Sequence, residues 1–245
     1  MTLLSVRISV DYPGKRDAVD QVAFDIGEGE VFGLAGDSGS GKSTIALAIL
    51  RLIEMRGGRV RGEIRFRGRD LSHCRERELR QVRGSEMSLV MQSPASALNP
   101  ALRLETQFRE AWSNHAKAPW REARPGVVAL LRQMGLPCDD EFLKRYPSQV
   151  SVGQAQRVVI AMAMVHGPKL IIADEPTSAL DPGSRGEILA LLRKLNLERG
   201  TAILYISHDL PSMQELCHRI GVLRDGKLLS CQQVTRETTS LVSVV

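Results

Sequence analysis

Gly36-Asp37-Ser38-Gly39-Ser40-Gly41-Lys42-Ser43 is the stretch on which the reading of this chain turns. It follows the apolar run Val31-Phe32-Gly33-Leu34-Ala35 and precedes Thr44-Ile45-Ala46-Leu47-Ala48-Ile49-Leu50, which has helical character. A strand, a glycine-rich loop and a helix in that order turn the G-x-x-x-x-G-K-S spacing into a phosphate site. Glycines at 36, 39 and 41, with the small Ser38 and Ser40 between them, let successive N–H groups curl toward one anion. The helix starting near Lys42 adds its positive end, and Lys42 adds a mobile charge for the β- and γ-phosphates. Ser43, followed by Thr44 in the first turn, offers a hydroxyl to a magnesium ion bridging those phosphates. The stretch is built to bind a nucleoside triphosphate.

The rest of the composition sets bounds. At 245 residues the chain is long enough for one large domain, or a core with a subdomain, and can bury a sizeable interior. A hydrophobic content of 43% with 25% charged residues is that of an ordinary globular protein. No apolar run nears the roughly 18 residues that span a bilayer; Val158 to Val165 is the longest. The opening Met1-Thr2-Leu3-Leu4-Ser5-Val6-Arg7 lacks a basic region before its apolar residues and does not read as a secretory signal. Cys74, Cys138, Cys217 and Cys231 are scattered without a C-x-x-C pair, which points to a reducing compartment rather than a zinc site or a disulfide framework. The net charge of +5 is uneven: residues 51–83 hold eleven arginines against five acids, Glu54, Glu63, Asp70, Glu76 and Glu78. A nucleic-acid or anionic-membrane surface is one reading of that stretch. Solvated faces of strands and a helix is the other, favoured because Phe66 is the only Phe, Tyr or Trp there to stack on a base.

Along the chain, residues 3–10 and Val22 to Ile26 read as strands around a Tyr12-Pro13-Gly14 turn. Tyr12 is placed either to stack on the nucleotide base or simply to pack. Val60 to Phe66 is expected as a strand, Glu78 to Val82 as a helix and Met87 to Met91 as a short buried strand. Gln92 follows that strand, where it can reach a metal or water beside the phosphates or sit as a solvated loop residue. From Ala101 to about Lys144 the composition turns to amphipathic helices interrupted by Pro119, Pro125 and Pro137, and both tryptophans, Trp112 and Trp120, fall there. This is an inserted helical subdomain, its tryptophans facing a partner or filling the core.

A second helix start follows at Val150-Ser151-Val152-Gly153-Gln154, leading to the apolar Val158–Val165 segment. Its Ser and Gly make another anion-accepting end. Leu170-Ile171-Ile172-Ala173-Asp174-Glu175 is a buried strand ending in two acids. After a phosphate-binding loop, Asp174 is placed to hold magnesium, and Glu175 to polarise the attacking water. Ser178-Ala179-Leu180-Asp181-Pro182 opens a helix running to about Leu197. Thr201 to Ile206 is a further strand, and His208 just beyond it can donate a hydrogen bond to a γ-phosphate or be structural. Val222 to Leu229 reads as a hairpin turning at Asp225-Gly226. Residues 231–245 read as a loosely held tail.

Taken together these pieces resemble the ATP-binding subunits of ABC transporters over nearly the whole chain. Gln92-Ser93-Pro94-Ala95-Ser96-Ala97-Leu98-Asn99-Pro100, Tyr146-Pro147 and Ala161-Met162-Ala163-Met164 resemble the dipeptide, oligopeptide and nickel importers in particular. The resemblance implies an α/β, RecA-like P-loop NTPase core with an antiparallel β subdomain and an inserted helical subdomain bearing the signature. The expected division is one ABC ATPase domain over 1–230, with 1–92 and 168–230 as core and 93–167 as the helical part.

The resemblance also implies a dimer in which each ATP is sandwiched between two cassettes. One supplies Tyr12, the loop from Gly36 to Thr44, Gln92, Asp181 and the catalytic Glu175 and His208. The other supplies Ser151, Gly153 and Gln154. Magnesium is held by Ser43, Gln92 and Asp174. The implied partners are two membrane-spanning permease subunits, a second and different ATPase chain and, indirectly, an extracytoplasmic substrate-binding protein. No nucleic acid is implied, and the implied place is the cytoplasmic face of the membrane.

Two departures stand out. The family's signature reads Leu-Ser-Gly-Gly-Gln, and Val152 occupies the third position here. Its β-branched bulk enters where backbone nears the γ-phosphate, with strain if that position needs positive φ. Longer peptide-importer subunits carry a cysteine-bearing extension, whereas only Cys231 lies past the expected hairpin, so no iron–sulfur cluster is expected. Alternatives are an exporter or lipid-extraction ATPase, which shares all but the Leu98-Asn99-Pro100 neighbourhood, and a soluble ABC-type ATPase on nucleic acid. A P-loop kinase leaves the signature and His208 without a purpose.

Overall fold

The computed structural model describes residues 1–234. In chain order these form β1 (Thr2–Tyr12), β2 (Lys15–Gly27), β3 (Val31–Ala35), α1 (Lys42–Ile49), β4 (Arg59–Phe66) and β5 (Arg69–Asp70). There follow α2 (Glu76–Val82), β6 (Met87–Val90), α3 (Pro94–Ala97), α4 (Leu104–Ser113), α5 (Trp120–Gln133) and α6 (Asp140–Lys144). The last are α7 (Val152–Met164), β7 (Leu170–Asp174), α8 (Pro182–Arg199), β8 (Ala202–Ser207), α9 (Leu210–Leu216), β9 (Arg219–Arg224) and β10 (Lys227–Gln233). Two compact units result, one of residues 1–73 with 202 onward, the other of residues 74–201.

In the first unit, β1 alternates in the period of a half-buried strand: Leu4, Val6, Ile8 and Val10 turn inward. Antiparallel register sets Val6 opposite Phe24 of β2 and Ile64 of β4, so one face is continuously apolar and a one-residue slip would expose all of it. The second sheet element of this unit runs β10-β9-β3-β8, with β3 parallel to both neighbours. All five residues of β3 are buried, which explains why Val31–Ala35 reads as an unbroken apolar run. Phe24 and Phe32 stack at 5.0 Å between centroids, each burial stabilising by about 1.5–3 kcal/mol. The β9–β10 hairpin turns where expected: Asp225 and Gly226 have φ of 48° and 76°, as a two-residue primed turn requires. β10 continues to Gln233, with Cys231 opposite Gly221. Residues 231–233 are therefore strand, not tail, and Cys231 lies within the hairpin. The remainder of the expected tail, 235–245, is outside the described residues.

In the second unit, β6 and β7 pair in parallel from Met87↔Leu170 to Val90↔Ala173. Side-chain ties run between its helices. The Gln133 amide donates to Glu198 at 3.1 Å and Arg199 donates to Gln133 at 2.6 Å, fastening α5 to α8. Arg157 of α7 pairs with Glu187 of α8.

Pro125 does not interrupt a helix; it lies inside α5. An interior proline costs about 3 kcal/mol. Ala123, Val127, Leu130 and Leu131 are buried on both sides of it, and that apolar face holds the helix through the break. Pro119 caps the same helix. Trp112 donates to Ala118 O at 3.0 Å and stacks on His166, while Trp120 donates to Glu105 at 3.3 Å. Both are half-buried, so neither lies in the core of this unit.

Candidate nucleotide site

The phosphate loop connects β3 to α1 inside the first unit. At Gly36 a Cβ would lie 2.3 Å from Leu223 O, so only glycine fits. Gly41 caps α1 at φ 110° with no side-chain hydrogen bond. The first turn of α1 carries no acid, which leaves its backbone donors and positive end for an outside anion. Lys42 is 5% exposed, and its ammonium donates to the carbonyls of Gly36 at 2.7 Å and Asp37 at 2.8 Å. These bonds pull both ends of the loop around the cation, a conformation suited to a polyanion. Ser40 is buried, and its Oγ has no hydrogen-bond partner among the described residues. Ser38, Gly39 and Ser43 are exposed along the same loop. The residues present thus fit a nucleotide's phosphates.

Tyr12 ends β1 with its hydroxyl 3.5 Å from Thr44 Oγ1, beside α1. Its ring packs on Gly58, where a Cβ would come within 3.1 Å of Cε1. His208 follows β8 and is exposed, and Asp209 N donates to Ser207 Oγ at 3.0 Å to fix the turn.

In the second unit, Asp174 closes β7 and Glu175 follows it with φ 48°. A non-glycine residue held in the left-handed region costs of order 1–3 kcal/mol and is kept mainly where the side chain must be aimed. The Ser178 hydroxyl donates to Glu175 O at 3.1 Å and stabilises that turn. Gln92, exposed just past β6, donates its amide to Glu175 Oε2 at 3.5 Å. The structure therefore brings together two residues 83 apart in sequence. Among the described residues no cluster of three or more His, Cys, Asp or Glu side chains could itself hold a metal.

Ser151 is the N-cap of α7 and forms a capping box: Gln154 N donates to Ser151 Oγ at 3.2 Å, and Ser151 N to Gln154 Oε1 at 3.1 Å. Val152 is the first residue of that helix and is not among the residues with positive φ. The conditional expectation of strain does not hold, because helical φ suits a β-branched side chain. Its bulk instead stands 54% exposed. A Cβ on Gly153 would sit 3.1 Å from Ser184 Oγ of α8, so the glycine admits close packing of the two helix starts. Asp181 is the N-cap of α8, accepting from Ser184 N at 3.0 Å. The Ser184 hydroxyl and amide hold its carboxyl below the usual range.

Several arginines of residues 51–83 already have acidic partners. Arg61 bridges Asp11 and Asp17, Arg65 meets Glu63, Arg51 meets Glu54, and Arg80 and Arg83 share Glu76. The local excess of charge is thereby partly neutralised on these surfaces.

The sequence reading passed over Gln156 and Arg157. Both look like polar residues before an apolar helix, yet Gln156 is wholly buried. Arg157 reaches Gly135 O at 3.3 Å. The only signal was a Gln-Arg pair on the inward side of the helical period.

Comparison with known proteins adds to this geometry. A family model described as ABC transporter matches residues 19–178. The chain is 41% identical over 223 residues to the peptidoglycan transport ATP-binding protein YejF of Agrobacterium fabrum, covering 91% of this chain and 41% of that protein. It is 39% identical to the oligopeptide transport ATP-binding protein OppD of Bacillus subtilis, covering 89% of this chain and 61% of that one. The chain thus spans less than two thirds of either relative. Among solved structures, cbiO1 from Clostridium perfringens, part of an ABC transporter complex, matches with TM-score 0.81 and 27% identity over 95% of this chain and 89% of its own. A dimeric ATP-binding cassette in a post-hydrolysis state with ADP and Pi matches with TM-score 0.78 and 28% identity, over 96% and 99%.

Proposed function

We propose, from the premise that this chain belongs to the ABC transporter family, that it is the ATP-hydrolysing subunit of an importer of peptides or related small solutes. The observation that carries the reading is the phosphate loop. Lys42, drawn into the loop by two carbonyls, and the uncapped start of α1 form a cradle for a triphosphate. The names of the relatives, which concern peptidoglycan and oligopeptide transport, support the solute class.

Each unit contributes its own roles. In the first, Gly36 to Thr44 bind the phosphates, Tyr12 meets the base and His208 donates to the γ-phosphate. In the second, Glu175 takes the proton of the attacking water as the β–γ bond opens, and Gln92 orients that water. Ser43, Gln92 and Asp174 would hold a magnesium ion, which would supply positive charge to the phosphate oxygens. Ser151, Gly153 and Gln154 act across a dimer on the partner cassette's ATP, and Asp181 belongs to that same interface while capping α8. Cassette closure drives two membrane-spanning subunits, so the chain is peripheral at the cytoplasmic face. No helix among the described residues is long and apolar enough to cross a membrane.

ATP hydrolysis by the purified full chain with its co-purifying partners tests the reading. Phosphate release that requires magnesium is expected; failure to bind ATP would overturn it. Val152 supplies a further expectation. Its exposed side chain adds bulk where a γ-phosphate meets the signature, weakening the partner's site. Val152→Gly is therefore expected to raise phosphate release in the assembled complex by a few-fold, about 1 kcal/mol of transition-state binding. An unchanged or lower rate contradicts this.

A further inference from the structure

The second turn of α7 holds a glutamine that none of these roles uses. Gln156 is 0% exposed, with the apolar residues Ala155, Val158, Val159 and Ile160 buried around it on the same helix. Its Nε2 donates to Met91 O at 3.4 Å. Its Oε1, though buried, has no hydrogen-bond partner among the described residues. A methionine would fill nearly the same volume without an orphaned acceptor, so as packing alone the glutamine is a poor choice. A buried, half-satisfied polar side chain calls for a role beyond packing.

Its acceptor indicates the role. Met91 lies between the end of β6 and Gln92, and the Met91 carbonyl shares one planar peptide unit with the Gln92 N–H. Holding that carbonyl fixes the plane from which the Gln92 side chain departs. Gln92 in turn donates to Glu175 at 3.5 Å. At the other end, Gln156 stands two residues past Gln154, on the helix that the Ser151–Gln154 capping box starts. Both side-chain contacts are longer than the usual range of about 2.7–3.2 Å, so a small approach strengthens them and a small separation breaks them.

We propose that Gln156 is a positioning residue that ties the placement of α7 to the orientation of Gln92 and, through it, of Glu175. Movement of the signature helix is thus transmitted to the water-directing pair inside one subunit. This rests on the ATPase reading, because Gln92 and Glu175 have these roles only there.

The test measures ATP hydrolysis and thermal melting for Gln156→Met and Gln156→Leu, each alone and combined with Gln92→Ala, in the full chain with its co-purifying partners. Gln156→Met is expected to melt at or above the wild-type temperature. Its kcat is expected to fall about tenfold, with KM for ATP held within about twofold. Gln156→Leu follows the same pattern. Added to Gln92→Ala, either change produces no further loss, since both act through one side chain. A purely structural Gln156 predicts otherwise. An unchanged kcat in Gln156→Met, or a loss that multiplies fully with that of Gln92→Ala, overturns the proposal. So does failure of both variants to fold, which assigns Gln156 to the core alone. A wild-type complex that binds ATP but never hydrolyses it removes the ATPase reading first, and the proposal with it.

Discussion

Glu175→Gln is expected to leave ATP binding intact and to lower turnover by roughly 10²–10⁴-fold, the usual contribution of a positioned general base. The side chain sits at the end of β7 on a backbone turned to φ 48°, an arrangement whose strain makes sense if the carboxylate must be aimed. Glutamine keeps the length and shape, so the turn, the Ser178 bond to the backbone carbonyl and the neighbouring Gln92 all remain. What it removes is the capacity to accept a proton from water. The binding residues of Gly36 to Thr44 are untouched, so the nucleotide affinity has no reason to fall. Equilibrium binding of ATP and steady-state phosphate release on the same preparation check both halves. Turnover within about tenfold of wild type would remove Glu175 from the base role.

Lys42→Ala is expected to weaken binding and hydrolysis together. The ammonium makes charge-assisted contacts to phosphate, each worth about 1.5–3 kcal/mol, so an affinity loss of about 10–100-fold follows from removing it. A second effect comes from the protein itself. Lys42 bonds to Gly36 O and Asp37 O, and its loss frees the loop to adopt other shapes. Titration with ATP should therefore show a weaker midpoint, and saturating ATP should not restore wild-type turnover. Recovery of full turnover at high ATP would mean that Lys42 contributes only to ground-state binding.

The contrast between these two sites and the rest of the molecule shows what a sequence carries. The phosphate loop was legible because its chemistry is local: Gly36 to Ser43 hold the spacing, the glycines and the lysine within eight consecutive positions. Asp225-Gly226 and Pro182 were legible for the same reason, each obeying a rule of turn or helix-start geometry. The ties Arg157–Glu187 and Gln133–Arg199 were not, because their partners stand 30 and 66 residues apart. Pro125 misled because a strong local breaker was overruled by a buried face that only tertiary packing creates. Val152 raised a question of φ that letters cannot answer, and the helix start answers it. Helix α9 was missed because seven residues with an early proline give too little periodicity to read. Gln156 was hidden by its own polarity, which predicts a surface position where the structure has a core one.

Purification of the tagged chain from solubilised native membranes, with its co-purifying chains identified by mass spectrometry, tests the central claim most directly. The account predicts two multi-span membrane proteins and a second, different ATPase cassette in the same complex. A chain recovered without membrane partners, or one that brings nucleic acid with it, would contradict the importer reading and turn attention to the arginines of residues 51–83.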